Sequence, residues 1–220
     1  MALVLHEHPF ASYCQKVLIA LYELGLPFER VLVEDRAEHV KLWPLDTIPV
    51  LVDTGADLTL PESTTIIEHL DGLAGGGRLI PSDPAAALQA RLWDRIADNH
   101  VAPPMQKIVG DSLRPEGRGD PGGVARARVT LDTAYGVLES QLGGRRWLAG
   151  DAFTAADCAA APALLYCRAV HRSDALPEVT RYVRALLGRP SVARVIDEAR
   201  PFRGIFPLPW PDGFDELAAA

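Results

Sequence analysis

The sequence predicts two domains in one chain of 220 residues, an α/β domain followed by an all-helical domain. Up to residue 78, short apolar and β-branched runs alternate with helical periods, whereas beyond the glycine run at 75–77 only helical periods occur. The stretch 79–87 is rich in proline and is typical of a linker. We therefore expect domains over 1–78 and 88–220.

The amino-terminal part predicts the element order βαβαββα. Its first helix is indicated by apolar residues at three- and four-residue steps, with Gly25 following as a stop signal. The last two strands flank a polar turn and are expected to form a hairpin. The predicted elements are strand 2–6, helix 13–24, strand 28–33, helix 34–42, strands 50–52 and 58–60, and helix 62–73.

The carboxy-terminal part predicts a series of helices and an aperiodic tail. One helix runs from Leu88 to Asn99, and Pro103 and Pro104 are expected to break or kink it because proline lacks a backbone N–H. Thr154 to Asp157 has the form of an amino-terminal capping box. The tail from residue 201 is rich in proline and aromatic residues.

Composition excludes several classes of function. The net charge of -7 and the absence of a basic run argue against a nucleic-acid or anionic-membrane partner. With no signal peptide and no long apolar run, we expect a cytoplasmic protein. The three cysteines form no CxxC pair and the six histidines lack ligand spacing, so we expect neither a disulfide framework nor a metal site.

Two short motifs predict a site for a small peptide. A proline is tolerated at the front edge of a strand, and in the run from Thr47 to Val52 it leaves backbone groups of its neighbour Ile48 free for a ligand. Glu62 and Ser63, at the start of the next helix, offer a carboxylate for an amine and a hydroxyl with helix-end N–H groups for a carboxylate. A γ-glutamyl group carries both of these functions.

With these motifs the chain resembles the cytosolic glutathione S-transferase family over essentially its whole length. The matching segments, in order, are Ile48-Pro49-Val50-Leu51, Glu62-Ser63 with Ile66, Ile67 and Leu70 after it, and Phe153-Thr154-Ala155-Ala156-Asp157. The resemblance implies a thioredoxin-like first domain, a cis proline at Pro49 and a homodimer formed through the helices that begin at Glu62 and Leu88.

The resemblance also implies glutathione as co-substrate and assigns its binding residues. Ile48 and Pro49 would hold the cysteinyl part, and Glu62 and Ser63 the γ-glutamyl end. Many bacterial relatives have lysine at the position of Thr47, close to the glycyl carboxylate of glutathione. A threonine offers no charge, so we expect the glycyl end to be held by His39 or Lys41 instead, or only weakly.

The thiol of glutathione must be stabilised as a thiolate at the start of the first helix. Many relatives carry Ser, Thr or Cys at the position of Ala11, which has no such group. Ser12 is the hydroxyl that remains, although with Gln15 it could equally form a capping box. Tyr13 and backbone groups are the other candidates, whereas Cys14 lies on the apolar face of the helix and is expected to be structural.

The expected function is conjugation of glutathione to a small hydrophobic electrophile, of the kind used in detoxification. The electrophile pocket is expected between the domains, with these residues as candidates: Phe10, Tyr13, Asn99, His100, Met105 and Tyr166. Two alternatives stay open. One is a non-catalytic binding or regulatory module that kept the fold, and the other is a glutathione-dependent isomerase.

Overall fold

A computed structural model describes residues 2–210. The first domain has the predicted order βαβαββα. Its elements are β1 (Leu3–Glu7), α1 (Ser12–Leu24), β2 (Glu29–Leu32), α2 (Arg36–Leu42), β3 (Val50–Asp53), β4 (Leu58–Pro61) and α3 (Ser63–Leu73). The expectation of an α/β first domain is confirmed.

The four strands form one mixed sheet in the order β2-β1-β3-β4. β1 pairs in parallel with β2 and antiparallel with β3, and β3 and β4 form the predicted hairpin. Leu5 of β1 lies opposite Leu51 of β3, and both are fully buried. The bond between Ile48 and Pro49, just before β3, is cis as expected.

The second domain is all helical, as predicted. Its elements are α4 (Pro84–Ile96), a π-helical turn (Ala97–Val101), α5 (Ala102–Ser112), α6 (Pro121–Leu142), α7 (Ala155–Val170), α8 (Pro177–Leu187), α9 (Pro190–Ala199) and a 3-10 turn (Arg200–Ile205). α1 packs on α3 within its own domain and on α7 and α9 of the second domain. No helix among residues 2–210 is both long and apolar enough to cross a membrane.

One expectation for the second domain is wrong. The helix expected from Leu88 begins at Pro84, because Asp83 caps it and proline fits the first helical position. The interruption expected near Pro103 and Pro104 takes the form of the π-helical turn just before them, and both prolines lie in the first turn of α5.

The link between the domains is held by one buried carboxylate. Asp71, at the end of α3, accepts hydrogen bonds from the backbone N–H groups of Gly77, Arg78 and Leu79 at 2.7 to 3.1 Å. Gly77 has a φ of 83°, and a Cβ there would lie 2.5 Å from Ser82 Oγ. The positive φ therefore favours glycine at this point, whereas the Ser82 hydroxyl can rotate away from a Cβ.

The predicted capping box at α7 is present. Asp157 accepts from the backbone N–H of Thr154 at 2.8 Å and from that of Leu148 at 3.1 Å. The hydroxyl of Tyr182 in α8 donates to the same carboxylate at 2.6 Å. Asp157 thus joins the start of α7, the preceding loop and α8 inside the core.

We predict that Asp157→Ala lowers the free energy of unfolding by about 2–4 kcal/mol, because three buried donors lose their acceptor. Urea denaturation measures the change. Asp151→Ala, six residues earlier at an exposed position, is the matched control and should change stability by less than about 0.5 kcal/mol. Equal effects of the two substitutions would contradict the assigned role of Asp157.

Candidate functional site

A cleft between the two domains contains two adjoining chambers. A polar chamber of about 420 Å³ is lined by Tyr13, Arg36, Asp46, Thr47, Ile48, Pro49, Glu62, Ser63, Arg95, Asp98 and Asn99. An apolar chamber of about 440 Å³ is lined by Phe10, Ala11, Ser12, Tyr13, Ile48, Met105, Gln106, Val109, Gly110, Leu113, Tyr166, Ile205, Phe206 and Pro207. Tyr13 and Ile48 line both, so the chambers meet at the start of α1 and the cis-proline loop.

The cis-proline loop is fixed by α2 and the residue that ends it. His39 Nε2 donates to the carbonyl oxygen of Thr47 at 2.9 Å, and Trp43 Nε1 donates to the Thr47 hydroxyl at 3.1 Å. Among residues 2–210, the N–H and C=O of the next residue, Ile48, have no hydrogen-bond partner. They are therefore available to a peptide lying in the polar chamber.

The outer part of the polar chamber carries a cation that the sequence analysis missed. Arg36, the first residue of α2, pairs with the Asp46 carboxylate at 2.8 Å. Asp46 has a φ of 55°, an uncommon conformation for a residue with a side chain. Arg36 is half-exposed, so its guanidinium can still reach an anion in the chamber.

Glu62 and Ser63 lie at the start of α3 and line the polar chamber as a pair. Glu62 is exposed, and among the described residues its carboxylate has no hydrogen-bond or ion-pair partner. Its φ of 69° is strained, as is common at functional sites. No side chain caps this helix start, so the first N–H groups of α3 are open to a carboxylate.

A buried ion cluster lies beside the polar chamber. Lys16 of α1 is 1% exposed and pairs with Asp94 at 2.6 Å and Asp98 at 2.7 Å. Thr64 accepts from Lys16 and donates to Asp94, both at 2.8 Å, and Arg95 contacts both carboxylates from outside. Burial raises the pKa of the Asp98 carboxyl, although Lys16 beside it acts in the opposite direction.

The start of α1 differs from the expected capping box. Ala11 is the N-cap, and the Gln15 side chain donates to the Pro9 carbonyl at 2.8 Å and to the Tyr166 hydroxyl at 2.9 Å. The Ser12 hydroxyl makes no hydrogen bond with the described part of the chain, and Ser12 lines the apolar chamber. The capping-box interpretation is therefore wrong, and the hydroxyl is free to donate to a ligand.

The neighbours of Ser12 are occupied by other contacts. The Tyr13 hydroxyl donates a hydrogen bond to the backbone carbonyl of Asp98 at 3.2 Å. Burial is the largest cause that raises the pKa of this phenol, and the negative charge of Asp98 is the second. Cys14 is fully buried, and burial raises the pKa of its thiol, which keeps it protonated and unreactive. Cys14 is structural in this arrangement.

The apolar chamber is built from three parts of the chain. Phe10 and Tyr166 form an edge-to-face pair with ring centroids 5.3 Å apart, and the Tyr166 hydroxyl donates to the Phe10 carbonyl at 3.0 Å. Met105 belongs to the α5 wall, and Phe206 of the tail packs on Phe10 at 6.0 Å. The aromatic tail thus closes one side of the cleft.

Some of the predicted site residues lie in places other than those expected. Phe10, Tyr13, Met105 and Tyr166 line the apolar chamber as expected, but Asn99 lines the polar one. His100 is exposed and lines neither chamber. His39 is buried at 4% exposure and holds Thr47 from outside the cleft.

Several lining residues were missed by sequence reasoning. In the polar chamber these are Arg36, Asp46, Arg95 and Asp98, and in the apolar chamber Gln106, Val109, Gly110, Leu113 and the tail segment 205–207. The four-residue steps from Met105 to Val109 and Leu113 are a helical signal that could have found one wall. That signal was hidden because Pro103 and Pro104 indicated a break.

Comparisons with known proteins agree with this architecture. The model of the glutathione S-transferase N-terminal domain matches residues 5–78, and that of the glutathione S-transferase C-terminal domain matches residues 121–185. Among curated proteins, glutathione S-transferase GstB of Escherichia coli K12 is 29% identical over 191 residues, covering 83% of this chain and 91% of the relative. FtsZ-localized protein A of Caulobacter vibrioides is 34% identical over 168 residues, covering 71% and 73%.

Solved structures give the same result. The glutathione S-transferase of Methylobacillus flagellatus, solved with glutathione bound, superposes with a TM-score of 0.81 at 26% identity, covering 88% of this chain and 98% of that one. The family models together span more than half of the chain, and both predicted domains are represented. The chain therefore belongs to the glutathione S-transferase family, whose co-substrate is glutathione.

Proposed function

We propose that the protein conjugates glutathione to a small hydrophobic electrophile, with Ser12 stabilising the thiolate. The observation that carries this proposal is the free Ser12 hydroxyl where the polar and apolar chambers meet. Glutathione bound in one chamber and an electrophile bound in the other would have their reacting atoms at this junction. Such placement converts a bimolecular reaction into an effectively unimolecular one.

The polar chamber supplies one group for each part of glutathione. The carboxylate of Glu62 is available to the γ-glutamyl ammonium, and Ser63 with the open start of α3 is available to the carboxylate beside it. The backbone of Ile48 can pair with the cysteinyl residue. At the outer end, we assign the glycyl carboxylate to Arg36 rather than to His39 or Lys41.

Position and charge favour Arg36 for this role. It lines the polar chamber, whereas His39 is buried outside it and Lys41 pairs with Glu38 on the exposed side of α2. A guanidinium also suits a carboxylate because it can donate two parallel hydrogen bonds. Thr47, where many relatives have lysine, is instead used to fix the loop.

Ser12 acts on the sulfur by donating a hydrogen bond from its hydroxyl to the thiolate. The start of α1 adds unpaired N–H groups and the positive end of the helix dipole, because no side chain caps it. Both features favour the ionised thiol over the protonated one. The thiolate then attacks the electrophile in the apolar chamber, and a carbon–sulfur bond forms.

We predict that Ser12→Ala raises the pKa of enzyme-bound glutathione by about 1–2 units, since a hydrogen bond to an ionised group contributes about 1.5–3 kcal/mol. Thiolate absorbance followed against pH measures this pKa, and kcat/KM should fall by about 10- to 100-fold. Tyr13→Phe is the control, because its hydroxyl already donates to Asp98. An unchanged pKa in the Ser12 variant would remove this residue from the mechanism.

We predict that Arg36→Met raises the KM for glutathione by about 10-fold with kcat nearly unchanged, because a uniform binding contact is lost. The wild type should prefer glutathione over its glycyl ethyl ester, and the variant should lose that preference. Lys41→Met removes the same charge from the same helix outside the chamber and is the matched control. A preference for the free acid that survives in Arg36→Met would refute the assignment.

A second candidate is a glutathione-binding module without turnover. It is favoured by Ala11, which lacks the hydroxyl or thiol that many family members carry there, and by the similarity to a protein named for its localisation to FtsZ. Calorimetry with glutathione and assays with isothiocyanates, chloronitrobenzenes and peroxides separate the two. Binding without turnover of any of them would favour the module, and absence of binding would exclude both.

We also propose a homodimer formed through α3 and α4. Leu88 and Leu92 point away from the core of their own chain, with 64% and 44% of their surface exposed. The ion pair between Arg91 and Glu68, at 2.7 Å, joins the two helices beside them. An exposed apolar stripe on a continuous two-helix surface is typical of an interface.

We predict that the double variant Leu88→Lys, Leu92→Lys is a folded monomer, because four lysines would be brought together across a two-fold axis. Sedimentation equilibrium measures the mass, and circular dichroism checks the helices. Val129→Lys on α6, which is 65% exposed, should leave the dimer intact. A wild type that sediments as a monomer at micromolar concentration would exclude this interface.

A further inference from the structure

Gly110 lies in the last turn of α5, where nothing in the fold requires a glycine. A Cβ placed on it would meet no atom within 4 Å, and its φ lies outside the left-handed region. Glycine inside a helix lowers stability relative to alanine. Gly72 and Gly136 are helical glycines with equally open Cβ positions, but of the three only Gly110 lines a chamber of the cleft.

The space beside Gly110 belongs to the apolar chamber. Leu113 and Ile205 lie at the solvent-exposed mouth of this chamber, and Met105 and Tyr166 lie at its buried end. Gly110 is exposed and is on the α5 wall, so its missing side chain widens the chamber towards the mouth. Because a Cβ on Gly110 would meet no atom of the chain, the space beside it is open to the chamber.

The chemistry of the lining defines what can fill the chamber. Among the described residues that line it, none carries an ionisable acid or base other than phenols, and the phenol of Tyr13 and that of Tyr166 each donate to a backbone carbonyl. A charged group placed there would lose its hydration without gaining a partner. Aromatic faces of Phe10, Tyr166 and Phe206 favour a flat apolar body.

We infer that Gly110 is a specificity-determining residue that lets the chamber accept uncharged aromatic electrophiles larger than a single ring. The inference rests on the proposed conjugation and names its substrate class.

The test compares phenyl, 1-naphthyl and 4-carboxyphenyl isothiocyanate as substrates. In each case the glutathione sulfur bonds to the central carbon of the isothiocyanate, the displaced electron pair of the C=N bond takes up a proton on nitrogen, and no group leaves. The wild type should accept both uncharged compounds and discriminate against the carboxylate. Comparable kcat/KM values for the carboxylate and phenyl compounds would overturn the assignment of an uncharged substrate.

The substitution Gly110→Leu fills the space with a good helix former. We expect kcat/KM for the naphthyl compound to fall by about 10-fold or more while that for the phenyl compound changes by less than about 3-fold. Gly136→Leu on α6 is the matched control, because a Cβ there likewise meets no atom within 4 Å and the residue lies outside the chamber. The melting temperature of neither variant should fall, which separates the effect from unfolding.

A binding measurement keeps this inference distinct from the proposed function. Calorimetric titration with 2-naphthol, uncharged at neutral pH, should show binding to the wild type and to Gly136→Leu but not to Gly110→Leu. If the wild type turned over no isothiocyanate, the conjugation would fail, and this titration would still decide the role of Gly110. Three results would each overturn the inference. They are equal naphthol binding by the two leucine variants, no naphthol binding by the wild type, and a ratio of naphthyl to phenyl turnover that is unchanged in Gly110→Leu.

Discussion

The Lys16 ammonium, held between the carboxylates of Asp94 and Asp98, fixes the first domain on the second. A lysine that is 1% exposed would be strongly destabilising unless paired, because it loses nearly all of its hydration. The two carboxylates lie four residues apart on the path from α4 into the π-helical turn, and so on one face of it. Their joint contact with Lys16 sets the position of α1 against the helical domain.

This constraint reaches the site through the geometry of α1. Ser12 lies one turn before Lys16, and residues four apart share a helix face. Gln15, between them, donates to Tyr166 of α7 and so provides a second link between the domains. The Ser12 hydroxyl, which we propose stabilises the thiolate, is therefore carried by a helix that is held from two sides, as a preorganised site requires.

The order of elements could be predicted from the sequence because its signals are local. Apolar steps, glycine stops and turn residues marked nearly every strand and helix of the first domain within two residues. Pro103 and Pro104 indicated an interruption but not its form, since the π-helical turn depends on packing with α5, α6 and α7. The burial of Lys16 could not be predicted from local signals either, because its partners lie about 80 residues further along the chain.

The residues of the candidate site divide in the same way, into those with a local sequence signal and those without one. Ile48, Glu62 and Ser63 were recognised because each belongs to a short motif whose backbone setting is local. Arg36 and Gly110 were missed because only the closed cleft brings them beside those motifs. His39 illustrates the opposite case. This histidine on a polar helix was expected to bind the glycyl end of glutathione, but its side chain contacts the Thr47 carbonyl.

Helix capping differs between the helix starts at the cleft and most of the others. An aspartate or threonine caps the starts of α2, α4, α6 and α7, and the Glu139 carboxylate accepts from the first N–H groups of α8. The starts of α1, α3 and α9 have no side-chain cap within residues 2–210. A missing cap costs about 1 kcal/mol. Of these three starts, those of α1 and α3 border the cleft, whereas α9 begins outside it. In the proposed binding mode, the free N–H groups of α3 and α1 are donors to the carboxylate and the thiolate of one ligand, which would complete both helices when it binds.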